Sequence, residues 1–386
     1  MEMKSYQSKM PSCIFAGECL DKIGEIIAKE NAKNVVLFTD KGIEAAGLDA
    51  PVRARIEAAG AGYTVIDDIP PEPAYTAVEA VIERTPKDKA DLIIAVGGGS
   101  VMDSAKLCSL LLGSQTTVRD LLKNPLAAKK QVKSVMIPTT CGTGSEATCN
   151  AIVAVPEEEV KVGIVNDEMI PDYVLLDASM IAKLPKKIIA ATGVDALAHA
   201  VECYTSKKAN PLSDAYALYA AKLIFGNIRR AYADADDMEA KQKMLIGAFF
   251  GGAAITSSGT TAVHALSYPL GGKFHIPHGV SNAILFKHVM EFNLDACEER
   301  LAGLCDLIAP ELAGKSVRER AEHTIAEIAD IVRFTEIPTD LGEYGVKPSD
   351  MDFLVEAAYG VRRLLDNNMK DMTREDIRGV YQKVMA

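Results

Sequence analysis

A change of pattern at Leu184-Pro185 constrains this chain more than any other feature. Before it, short runs rich in β-branched residues at 34–39, 63–66, 91–96 and 134–137 alternate with helical stretches at 52–59, 74–84 and 100–112. That alternation predicts a parallel sheet covered by helices. Two further runs, 151–155 and 160–165, flank the polar PEEE segment and predict a β-hairpin, and 173–176 predicts a strand that ends the sheet-like region. After Pro185 the periods are helical only, at 187–205, 211–233, 237–256 and onward to the C-terminus, with ADADD (233–237) as a solvated loop. A chain of 386 residues exceeds the size at which one hydrophobic core stops growing. We therefore expect an α/β domain with a Rossmann-like parallel sheet over 1–183 and an all-α domain over 184–386.

Composition narrows the partners. A formal net charge of -11 repels nucleic acid and anionic lipid over most of the surface, so neither is expected. No run is long enough to span a bilayer, and the start shows no secretory pattern, which points to a cytoplasmic protein. The eight cysteines form no Cys-x-x-Cys pair, as expected for reduced and mostly buried thiols rather than a zinc ribbon or redox dithiol.

Chemistry concentrates in four segments. DLIIAVGGGSVMDSAK (91–106) puts three glycines and a serine where a buried strand gives way to a helix, a geometry that brings backbone and a helix N-terminus close to an anion such as phosphate. It is not the G-x-G-x-x-G fingerprint. PTTCGTGSEAT (138–148) follows another strand and offers hydroxyls from Thr139, Thr140, Thr143 and Ser145. Two such turns at strand ends point to one ligand lying across the carboxyl edge of the sheet. Asp40 closes the strand VVLFTD, where it could accept hydrogen bonds from a dinucleotide ribose and repel a 2′-phosphate, or simply cap a helix.

In ATGVDALAHAVE (191–202), Asp195 and His199 are four apart and share one helical face, a spacing that can hold a metal ion. His264, in TTAVHALSYPLGG, and His278, in HIPHGVSN, could complete three imidazoles and one carboxylate, a set suited to Fe(II) or Zn(II).

These segments, in this order and spacing, resemble the iron-containing (group III) alcohol dehydrogenases, which include lactaldehyde reductase and 1,3-propanediol dehydrogenase, and the likeness spans essentially the whole chain. It implies a nucleotide-binding α/β domain, a helical domain of dehydroquinate synthase-like architecture, and homodimerisation. It also implies that Asp195, His199, His264 and His278 bind the metal, with Fe(2+) favoured and Zn(2+) possible. By the same matching, Gly98, Gly99 and Ser100 hold the cofactor pyrophosphate with Asp103 nearby, Thr139, Thr140, Thr143 and Lys161 contact the cofactor, and Asp40 favours NAD(H) over NADP(H). The implied reaction exchanges hydride between a nicotinamide and a small alcohol or aldehyde at a Lewis-acidic ion that keeps a net positive charge.

The chain departs from the resemblance near the third metal ligand. Relatives commonly carry a histidine four residues further on, where this chain has Tyr268, a poor proton carrier near neutrality. His275 could replace it as a proton relay, or serve only at the surface. Lys273 stands where many relatives have an apolar or aromatic residue, and it could pair with an aldehyde bearing a carboxylate, sulfonate or phosphonate, or simply face solvent. Two rival readings share the architecture: a zinc-dependent polyol dehydrogenase resembling glycerol dehydrogenase, and a metal lyase resembling dehydroquinate synthase. The paired Asp195 and His199 weigh against the first, and the lack of a Lys/Arg concentration suited to a sugar phosphate weighs against the second.

Overall fold

Six consecutive buried residues, Leu92–Gly97, leave no polar side for water, which places this strand inside a sheet covered on both faces. A computed structural model of the chain describes residues 5–86, 90–158 and 160–385. It divides into two compact units, Lys9–Leu184 and Pro185 onward. The described residues up to Ser8 belong with the second unit, where the Ser8 and Ser257 hydroxyls lie 2.9 Å apart.

In the first unit, strands β1 (Cys13–Ala16), β2 (Asn34–Phe38), β3 (Gly62–Ile66), β4 (Leu92–Gly97), β5 (Lys133–Pro138) and β8 (Tyr173–Leu176) form one parallel sheet in the order β1-β8-β5-β4-β2-β3. Strands β6 (Asn150–Val155) and β7 (Val160–Val165) form the expected antiparallel hairpin, of whose PEEE connection Glu159 lies outside the described residues. Alternate strand residues feed two cores. Val35, Leu37, Leu92 and Ile94 pack with Ile23, Ile26, Val52 and Ile56 on one face. Val36, Phe38, Ile93 and Ala95 pack with Val81, Val101, Met102 and Ala105 on the other.

The longer of the two helices between β2 and β3, Ala50–Ala58, therefore lies on the face opposite the helix following β4, Gly99–Leu111. The chain switches direction between these neighbouring strands, the position at whose carboxyl ends open α/β sheets bind ligands. Strand β1 and the helix Lys22–Glu30 were not foreseen, because a four-residue, half-buried edge strand carries little periodic signal. The strand Tyr173–Leu176 is the last in the chain, as expected, and in space it sits between β5 and β1.

The second unit is helical. Its first three helices, Lys186–Tyr204, Pro211–Ala233 and Met238–Ser258, pack on one another, and Asn210 and Asp237 cap the second and third with side-chain oxygens. Among the described residues no helix is long and apolar enough to cross a membrane. All eight cysteines are free thiols, and all but Cys13 are buried.

Candidate metal centre

The helix Lys186–Tyr204 is buried almost all round from Ile189 to Cys203, so a carboxylate and an imidazole on it enter the protein interior rather than water. Its small residues allow close neighbours. Gly251, on Met238–Ser258, is one of them: a Cβ there would stand 3.4 Å from the Cβ of His199. Burying Asp195 alone would cost several kcal/mol, so a cation or its equivalent must face it.

Three imidazoles do. His199 Nε2 lies 3.8 Å from Asp195 Oδ1, His264 Nε2 3.6 Å and His278 Nε2 3.5 Å. The four ligand atoms all fall within 4.8 Å of one another. Around an ion with bonds of ~2.1 Å, tetrahedral ligands stand ~3.4 Å apart, so this set fits a divalent ion with modest tightening. Burial alone would raise the pKa of Asp195, but His199, His278 and His264 hold its carboxyl far below the usual range. The four residues expected to bind metal are thus brought together.

His264 comes from the first turn of the helix Ala262–Phe274, whose start is held by a residue the sequence did not single out. Glu202, fully buried, accepts through one oxygen from the backbone of Thr261 (3.1 Å) and Val263 (2.8 Å) and from the Thr261 hydroxyl (2.6 Å). Its other oxygen accepts from His264 Nδ1. One carboxylate therefore caps a helix and fixes an imidazole tautomer, leaving Nε2 turned to the centre. Burial pulls the His264 pKa down, but Glu202 and Asp195 outweigh it and raise it to about 9. Two buried carboxylates favour positive charge here. The available signal was a single glutamate three residues after His199 in an apolar helical run.

His278 opens the helix His278–Ile308 beside Gly279. A Cβ at Gly279 would lie 2.1 Å from the carbonyl oxygen of Ala191, so only glycine lets this helix start against the helix that carries Asp195. Asn282, one turn on, is also buried. Its Nδ2 donates to Asp195 Oδ1 at 2.7 Å and lies 3.2 and 3.3 Å from Nε2 of His264 and His278. Its Oδ1 has no partner among the described residues. The spacing that relates Asp195 to His199 also relates His278 to Asn282, a signal that was legible and passed over.

The three residues expected beside the metal fare differently. The ring of Tyr268 lies 6.1 Å from that of His278, and burial raises its hydroxyl pKa while the Arg363 guanidinium beside it opposes the rise. Lys273 is exposed in the last turn of its helix, 3.3 Å from Asp350 and 4.1 Å from the centroid of Phe353. Its charge already has partners, so a cation reserved for substrate is not what the geometry gives. His275 is the exposed, left-handed C-cap of the same helix at φ 55°, outside the ligand cluster. A relay role gains no support from that placement.

In the sheet unit, Gly98 begins the helix Gly99–Leu111 without any side-chain cap, which leaves its first N–H groups for a ligand. Close approach explains the glycines. A Cβ at Gly97 would stand 2.6 Å from Val101, and one at Gly99 2.8 Å from Thr143, so the two expected turns are packed against each other. Thr140 lies against Gly98, and the Thr139 hydroxyl is buried without a partner among the described residues. Thr143 accepts from the Ser145 backbone at 3.3 Å, and Ser100 accepts from the Glu72 backbone at 2.9 Å. Lys161 pairs with Glu72 at 2.6 Å.

Asp103 is a brace rather than a group offered to a ligand. It accepts from the Ser145 hydroxyl and from the backbone of Ile152 (2.9 Å), and it pairs with the fully buried Lys106 at 2.9 Å. Asp40 caps a short helix through Oδ1, accepting from Ile43 at 2.9 Å, while its second oxygen has no hydrogen bond among the described residues. Both readings of Asp40 are therefore compatible in one side chain.

Comparison with known proteins agrees with this geometry. Residues 11–178 match the model described as iron-containing alcohol dehydrogenase, and 189–385 match that of the Fe-containing alcohol dehydrogenase family, C-terminal. The chain is 34% identical over 370 residues to long-chain-alcohol dehydrogenase 1 of Geobacillus thermodenitrificans, covering 95% of this chain and 93% of that one. Among solved structures, an alcohol dehydrogenase from Oenococcus oeni superposes with a TM-score of 0.93 at 32% identity, covering 98% and 100%. Sulfoacetaldehyde reductase from Bifidobacterium kashiwanohense, in complex with NAD+, does so at 0.89 and 27% identity, covering 100% of each. With both halves matched and the ligand set in place, the chain belongs to the iron-containing alcohol dehydrogenase family.

Proposed function

We propose that the chain is an NAD(H)-linked, metal-dependent reductase of a small aldehyde, and the dehydrogenase of the matching primary alcohol, with Fe(2+) as the favoured ion. The observation that carries this reading is the approach of three imidazole Nε2 atoms to 3.5–3.8 Å from Asp195 Oδ1. An ion held by Asp195, His199, His264 and His278 supplies Lewis acidity toward the carbonyl oxygen, and NADH supplies the hydride. Glu202 keeps His264 in the tautomer that presents Nε2, and Asn282 holds Asp195 by its Oδ1. Burial raises the hydroxyl pKa of Tyr268, so this side chain would stay protonated near neutrality and could donate a hydrogen bond beside His278.

Asp40 supports NAD(H) over NADP(H), because its second carboxylate oxygen would repel a 2′-phosphate. An anionic head group on the aldehyde is supported by the likeness to sulfoacetaldehyde reductase. The test is anaerobic purification, metal analysis and an aldehyde panel with NADH and NADPH. We expect one ion per chain, NADH oxidation abolished by chelation and restored by Fe(2+), and little use of NADPH. A protein that binds no ion at these ligands, or that turns over its substrate without net NADH oxidation as a lyase would, contradicts the reading.

A further inference from the structure

Several cations of the helical unit already hold partners. Lys273 has Asp350 and the Phe353 ring, Arg362 pairs with Asp366 and lies 4.9 Å from the Tyr359 ring, and Arg374 pairs with Glu356. Arg363 is exposed, and among the described residues no carboxylate pairs with it. Its neighbour is the hydroxyl of Tyr268. The short helix Arg362–Leu365 packs on Ala262–Phe274, the helix that carries both His264 and Tyr268. A line of contacts therefore runs from His278 through the Tyr268 ring, 6.1 Å away, to a guanidinium with unused donors.

We propose that Arg363, with the Tyr268 hydroxyl, forms the subsite that binds the anionic head group of the aldehyde, a role the sequence had suggested for Lys273. This inference rests on the aldehyde-reductase reading above. A guanidinium presents its N–H groups as a planar fork that matches two oxygens of a carboxylate or sulfonate, and the phenol adds a third donor. A phenol with the ordinary tyrosine pKa of about 10 carries its proton near neutrality and can donate it in a hydrogen bond.

The experiment uses the metal-loaded protein with NADH and pairs sulfoacetaldehyde with propionaldehyde. Calorimetric titration with ethanesulfonate and with propionate reports the head group without chemistry. Arg363→Met should lower kcat/KM for sulfoacetaldehyde about 10- to 100-fold, as expected for a lost charged hydrogen-bond pair, and change propionaldehyde less than about threefold. It should also weaken binding of whichever anion the wild type takes. Arg363→Lys should restore part of both, and Lys273→Met should change neither. Ethanesulfonate binding tighter than propionate assigns a sulfonate, and the reverse order a carboxylate. Equal losses for both aldehydes, anion binding that survives Arg363→Met, or a wild type that binds neither anion overturns the subsite. A wild type that binds the anion through Arg363 yet oxidises no NADH with any aldehyde contradicts the reductase reading and leaves the subsite standing.

Discussion

The two units prepare their ligand sites by opposite means, and their two buried glutamates show the difference. In the sheet unit the candidate donors are backbone groups at the uncapped start of Gly99–Leu111, and the polar side chains nearby are mostly tied to one another. Glu146, buried in the second turn, has an Oε1 without a partner among the described residues. In the helical unit the donors are side chains from three helices, and Glu202 there uses both oxygens fully. A backbone site needs room, which glycine gives. A side-chain site needs every rotamer held from behind, which takes buried polar partners.

The largest expected effect comes from the brace of the sheet unit. Lys106→Met leaves Asp103 buried without its ion pair and removes the donor to Ser145 O and Thr148 Oγ1, so chemical denaturation should show a loss of about 3–5 kcal/mol. Metal affinity should stay as it was; a parallel loss of metal would mean the two sites are not independently built. Glu202→Gln tests the other side. It should weaken metal binding about 10- to 100-fold in chelator competition and leave NADH binding unchanged, and unaltered metal affinity would remove Glu202 from the centre.

Glu146→Gln sharpens the contrast between the glutamates. Burial raises the folded-state pKa of Glu146 from 4.5 to about 7, so the stability its proton contributes is present below the lower value and lost as pH rises through the upper one. The glutamine variant should therefore exceed wild type by on the order of 2 kcal/mol at pH 8, with the gap closing at pH 4. A constant gap across that range would show that Glu146 does not titrate so. The smallest effect belongs to Gly99→Ala, whose Cβ would press Thr143 at 2.8 Å. NADH binding should weaken by roughly fivefold, about 1 kcal/mol, with metal content intact.

Legibility followed the same division. The glycine turns lie within a dozen residues of the strands that aim them, so periodicity and turn chemistry brought the central strands to within about a residue of their bounds. Asp195 and His199 were readable together because helical spacing is a local property. His264 and His278 depended on family resemblance, since what joins them to Asp195 is the packing of separate helices, at Gly279 against Ala191 for His278 and through Glu202 for His264. Arg363 could not be read at all, because its relation to Tyr268 crosses 95 residues of chain. Lys273 and His275 drew attention by nearness in sequence, yet the end of their helix turns them to Asp350 and to solvent.

Glu202 also changes how the centre acts at a distance. A divalent ion there would carry two positive charges against the single charges of Asp195 and Glu202, so the assembly as a whole would be electrically silent beyond its immediate ligands. Lewis acidity acts over one bond and survives this cancellation, but long-range attraction does not. On a chain of net charge -11, an anionic aldehyde would then be drawn in chiefly by Arg363. Replacing Arg363 with methionine should therefore slow capture of the anionic aldehyde and leave that of a neutral one unchanged.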